Sequence, residues 1–105
     1  MRRVWLALAA ALLLLLGASA SAFPTRQITL VVPFPPGGST DMIARVLQGK
    51  LQERLGVTVV VDNRAGATGT IGAAQVTRAP ADGHTLLVSS LGPFVIAPHL
   101  IKAPY

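Results

Sequence analysis

The chain has 105 residues, a formal net charge of +5 and no cysteine. The missing cysteines exclude disulfides, thiolate metal sites, a cysteine nucleophile and lipid attachment at an N-terminal cysteine. Two cations, Arg2 and Arg3, sit at the very start; residues 23–105 carry a scattered net of +3, with no basic run and few aromatic platforms, which argues against nucleic-acid binding.

Arg2-Arg3 is followed by the apolar run Val4 to Leu16. Its thirteen residues fit the core of an export signal and fall short of a membrane span. Gly17 leads into Ala18-Ser19-Ala20 and Ala20-Ser21-Ala22, two small-x-small sites. The pattern predicts a signal peptide over 1–22, cleaved after Ala20 or Ala22, and a product outside the cytoplasm. An uncleaved anchor is the alternative; no basic stop follows the run to support it. The residues after Arg3 do not support a twin-arginine signal.

Ile28 to Val32 is a β-branched run whose continuous apolarity suits a strand buried on both faces. Pro33-Phe34-Pro35-Pro36-Gly37-Gly38 breaks it. Ser39 or Thr40 then offers a helix N-cap, and Asp41 complements the first turn. Ile43, Val46, Leu47, Leu51 and Leu55 recur at helical spacing and predict the core face, with Arg45, Gln48, Gln52 and Glu53 on other faces. Gly56 stops the helix, and Gly49 inside it suggests close packing.

A second buried strand is predicted over 57–61, then a glycine-rich loop from Asp62 to Gly69 and a short helix over 71–78 ended before Pro80. A turn at Pro80-Ala81-Asp82-Gly83 precedes a third strand over 84–89. Leu91-Gly92-Pro93 breaks that strand, and 94–101 reads as a short helix or turn interrupted at Pro98. Helical crossovers between buried strands predict an α/β fold with a three-stranded parallel sheet, right-handed connections and the first strand in the middle. Ligands of such sheets bind at the carboxyl ends of the strands.

Gly37-Gly38-Ser39-Thr40 joins a strand to a helix start. Free N–H groups there attract an anion, so a carboxylate or phosphate cradle and a ligand-free capped turn both fit. Ser39 stands where a Walker A loop needs lysine, and Gly66 to Gly72 lacks the dinucleotide spacing, so no nucleotide cofactor is expected. No nucleophile elbow surrounds Ser39, Ser89 or Ser90. His84 and His99 are isolated, and no His/Asp/Glu spacing suggests a metal. These absences argue against an enzyme.

The run from Ile28 to Asp41, followed by Arg45, resembles the opening of the Bug (TctC-like) periplasmic solute-binding proteins of tripartite tricarboxylate transporters. Leu55-Gly56, Val59 to Ala67 and Gly69 to Ala73 are similar to that family's second block. Pro80 to Leu87 resembles its third, where an aromatic usually stands at the His84 position. The resemblance covers about Pro24 to Tyr105 and implies a two-lobed α/β fold that closes on a small organic carboxylate and passes it to membrane permease subunits, without catalysis or cofactor. It places the ligand on Phe34, Pro35, Gly37, Gly38, Ser39, Thr40 and Asp41 of the first loop, on Ala67 and Thr68, and on Ser89 and Ser90 after the third strand. Family members are roughly three times longer, so residues 23–105 are expected to form the first part of lobe one. A solute-binding fragment, a non-binding remnant and a small α/β enzyme stay open as readings.

Overall fold

A computed structural model describes residues 1–16 and 22–105. Helix α1 spans Arg2–Leu16, where alanine and leucine supply high helix propensity. No described helix is long and apolar enough to cross a membrane. The predicted cleavage motifs fall on residues 18–22, all but Ala22 outside the described residues.

Strand β1, Ile28–Val32, lies between β2, Val59–Asn63, and β3, Thr85–Leu87, in a parallel sheet of order β2-β1-β3. The predicted class, strand count and central first strand are all present. Pairing runs from Ile28 opposite Val59 to Val32 opposite Asn63, and from Thr29 opposite Thr85 to Val31 opposite Leu87. Ile28, Leu30, Val31, Val32 and Val59 are buried, as a strand covered on both faces requires. Leu51, Leu55, Val57, Val61 and Val88 pack against Ile28, Leu30 and Val59.

Helix α2 covers Ser39–Leu55 and ends at Gly56, whose φ of 67° is the left-handed conformation a helix stop requires. The apolar stripe predicted as its core face is only partly so. Ile43, Val46 and Leu47 are exposed, together with Met42. The face toward the sheet is instead Asp41, Ala44, Gln48, Leu51 and Leu55, the first two fully buried. The reason is hydrogen bonding at the head of β2. Gln48 Nε2 donates to the Val59 carbonyl at 2.8 Å, and the Val59 N–H donates to Gln52 Oε1 at 2.9 Å. Two glutamines one turn apart thus satisfy a strand end that would otherwise be bare. They also fix where pairing begins, so β2 occupies 59–63 rather than 57–61. Its polar end continues the ladder because Arg64 N–H still reaches the Val32 carbonyl, at 2.7 Å.

Helix α3, Thr70–Arg78, follows a 3₁₀ turn at Ala67–Gly69 and stops at Ala79, extended as a residue before proline must be. Strand β3 is shorter than predicted, although Val88 N–H still bonds the Val31 carbonyl at 2.9 Å. A π turn, Gly92–Ile96, then leads into α4, Ala97–Leu100. Pro98 does not interrupt that helix: it sits in the first turn, where its missing N–H costs nothing.

Two helical glycines differ in their surroundings. A Cβ on Gly72 would meet Pro33 at 2.8 Å and the Arg64 carbonyl at 3.0 Å, so α3 touches the backbone that leaves β1. Gly49, expected to mark close packing, has nothing within 4 Å. Gly72→Ala should therefore destabilise the chain by about 1–3 kcal/mol through overpacking. Gly49→Ala should stabilise it by roughly 1 kcal/mol through helix propensity. Chemical denaturation of both variants checks the pair; equal effects of the same sign would contradict the packing described.

Candidate functional site

The turn between β1 and α2 is organised around one carboxylate. Asp41, in the first turn of α2, is only 3% exposed. Its Oδ2 accepts from Arg45 Nε at 2.9 Å and from the Gly37 N–H at 3.0 Å. Its Oδ1 accepts from Asn63 Nδ2 at 2.9 Å, and the same Asn63 amide reaches the Phe34 carbonyl at 3.2 Å. One side chain thus ties together the turn, the helix and the end of β2. The Arg45 guanidinium, then the Gly37 and Asn63 donors, hold the Asp41 carboxyl well below the ordinary value of 3.8, at about 2.

This arrangement differs from the predicted cap. Neither Ser39 nor Thr40 caps α2; the N-cap is Gly38, without a side-chain bond, and Ser39 is the first helical residue. Asp41 reaches back instead and takes the Gly37 N–H, so that amide is not free to meet a ligand. Gly37 has φ of 92°, which lets the chain present its N–H inward. The N–H groups of Ser39 and Thr40 stand at the first two helical positions and have no intrahelical acceptor.

Phe34, Gly38, Ser39, Thr40 and Ser90 line an open cleft of about 280 Å³. It lies beyond the carboxyl ends of β1 and β3. Five of the sequence-predicted residues therefore converge, drawn from two loops far apart in the chain. Pro35 lies outside this set and is exposed. Ser89 also lies outside, its hydroxyl donating to the Ser90 carbonyl at 3.3 Å. Asp41 stands behind the turn with both oxygens occupied by protein donors.

Ala67 and Thr68 hold left-handed conformations, with φ of 46° and 56°. For a β-branched threonine this is a strained state, of order 1–3 kcal/mol. Thr70 Oγ1 donates to the Ala67 carbonyl at 2.8 Å and helps hold it. Thr68 faces a second, apolar cavity of about 230 Å³, shared with Gly92, Ile96, Ala97, Leu100 and Ile101. The two predicted regions meet where Gly69 packs: a Cβ there would lie 2.6 Å from Pro93 and 3.3 Å from the Phe34 ring. Sequence reasoning missed Asn63 as an organiser. Its one signal is a polar pair, Asp62-Asn63, ending an apolar strand.

Comparison with known proteins gives a consistent picture. Residues 43–105 match the model of the tripartite tricarboxylate transporter family receptor. A UPF0065 protein of Pseudomonas sp. strain P51 is 54% identical over 80% of this chain and 25% of its own length. Protein BugT of Bordetella pertussis is 58% identical over 69% of this chain and 22% of its own. Among solved structures, one of a periplasmic transporter superposes with a TM-score of 0.76 at 41% identity, covering 80% of this chain and 29% of that one. An R. palustris protein solved with adipate gives 0.67 at 49% identity, over 69% of this chain and 24% of that one. MatC from Rhodopseudomonas palustris, with bound malate, gives 0.59 at 45% identity, over 62% and 22%. The chain spans about a quarter of the length of the curated relatives it matches.

The Asp41 network yields a pH prediction. A carboxyl whose folded value lies below its unfolded one adds stability above the unfolded value and loses it as pH falls through the folded one. For Asp41 the window runs from about pH 4 down to about 2. Asp41→Asn places an NH₂ group among existing donors and should lower the denaturation midpoint at pH 7. The gap between parent and variant should narrow as pH falls through that window. A gap independent of pH would show that the carboxylate charge does not organise the turn.

Proposed function

As the chain belongs to the tripartite tricarboxylate transporter receptor family, we propose that it is an exported solute receptor that captures a small organic carboxylate for membrane permease subunits, without catalysing a reaction on it. The observation that carries this reading is the cleft at the head of α2. It offers first-turn amides of a 17-residue helix together with the Ser39, Thr40 and Ser90 hydroxyls. Amides at a helix start favour negative charge, and hydroxyls add donors that a carboxylate accepts. Both Asp41 oxygens are engaged elsewhere, so the one nearby carboxylate is turned away from an incoming anion. Structures of relatives holding adipate and malate support a carboxylate as the ligand class. In this reading Gly38, Ser39, Thr40 and Ser90 hold one carboxylate, and Phe34 supplies an apolar wall. Gly37, Asp41 and Asn63 keep the turn in shape, and Pro35, Ala67, Thr68 and Ser89 border the cradle at a greater remove.

Gly38 makes the sharpest test. Its backbone is extended, with φ of −77°, and a Cβ there would meet only the Pro35 carbonyl at 3.8 Å. Gly38→Val is therefore expected to fold, its Cβ having room, and to crowd the cleft that Gly38 lines. Calorimetry with mono- and dicarboxylates should use residues 23–105 joined to the remaining segment of BugT. Gly38→Val should abolish binding of the preferred acid, whereas Ser39→Ala should cost about 1 kcal/mol, one hydroxyl donor. Unchanged affinity in Gly38→Val would exclude the cradle. Export is tested separately: the periplasmic product should begin at Ser21 or Phe23 by mass spectrometry, and a product retaining Met1 to Leu16 would refute cleavage.

A further inference from the structure

At the other end of the sheet, the segment that enters β1 lies across the turn that enters β3. The Thr25 N–H donates to His84 Nε2 at 3.1 Å. The Phe23 ring meets the imidazole edge-on at 5.1 Å and covers Gly83, where a Cβ would lie 2.9 Å from it. Arg26 pairs with Asp82 at 2.7 Å. His84 itself is 4% exposed and is fixed by its own backbone, which donates to Asp82 Oδ1 at 3.0 Å and accepts from Thr29 N–H at 2.8 Å. Its Nδ1 is buried without a hydrogen-bond partner among the described residues, 3.3 Å from Asp82 Oδ1 but poorly aligned with it.

We propose that residues 23–26 form a proton-released clasp: neutral His84 holds them against the Asp82-Gly83 turn, and protonation of His84 in acid lets them go.

Accepting from an N–H requires a lone pair on Nε2, so the clasped ring is neutral and carries its proton on Nδ1. A second proton can go only to Nε2. That turns the acceptor into a donor facing another donor, and the Thr25 contact becomes repulsive. The charged groups facing the ring are Asp82, from its own turn, and Arg26, from the segment it holds. Strand β1 contributes none, and α3, packed on β3, carries only Arg78, in its last turn. Asp82 is held ionised by the His84 N–H and by Arg26, its carboxyl lying below the ordinary range. Its charge favours the imidazolium, whereas the Thr25 N–H favours the neutral ring. An Nε2 that carries a proton cannot accept the Thr25 N–H, so protonation and the clasp exclude each other, and acid opens the clasp.

The test is amide hydrogen exchange by NMR on the isotopically labelled chain between pH 7.5 and pH 5, corrected for the intrinsic pH dependence of exchange. Thr25 protection should fall about tenfold as the pH is lowered, the scale of one lost hydrogen bond. His84→Gln, whose amide oxygen accepts without titrating, should keep Thr25 protected throughout. The imidazole nitrogen shifts should report the Nδ1-protonated tautomer at pH 7.5. A pH-independent Thr25, a parallel fall in His84→Gln, or the opposite tautomer would each overturn the clasp. If His84→Gln does not fold, the tautomer and the parent titration still decide.

Discussion

A single buried carboxylate sets the geometry on which the candidate site depends. Asp41 collects three donors from three different places: a turn amide, a helix side chain and a strand-end side chain. A buried charge left without such partners would be costly, so the three donors and the acceptor hold one another in place. The turn is thus pinned to β2 as well as to its own helix. Ser39 and Thr40, whose amides have no intrahelical acceptor, consequently line the cleft beside Gly38. Pro33 against Gly72 fixes the root of the same turn from the α3 side.

The sheet was legible because its signals are redundant. Ile28 to Val32 and the second valine-rich run are apolar beyond what a one-sided strand needs, and the turns between them contain proline and glycine. The parallel order follows from alternation of strand and helix alone. Phe34, Gly38, Ser39, Thr40 and Ser90, which the family resemblance had placed at one site, do line one cleft, as strand ends that share one edge of the sheet allow. The orientation of α2 was not legible. Counting apolar residues assigns Ile43, Val46 and Leu47 inward, yet the helix turns Gln48 and Gln52 to the sheet. A hydrogen-bonded strand end outweighs a hydrophobic stripe there, and periodicity carries no information about backbone groups that need partners.

The same blindness applies to caps. Ser39 and Thr40 are favoured N-cap residues by type, but a carboxylate in the third helical position outcompetes them by reaching back over the turn. The hydroxyls are left unused by the helix. At the opposite end of the sheet, the role of His84 depends on Thr25, 59 positions away. No local pattern around either residue records that contact.

The exposed face of α2 and the amides at its start have different evolutionary freedom. Met42, Ile43, Val46 and Leu47 are side chains, and each can be exchanged by a single substitution. A peptide N–H cannot be removed by exchanging a side chain, except for proline. The amides at the helix start therefore come with the fold itself, while the Ser39, Thr40 and Ser90 side chains that line the cleft can each be exchanged singly. If the cleft holds a carboxylate as proposed, exchanging these rim side chains changes what is selected and leaves the helix-start amides in place.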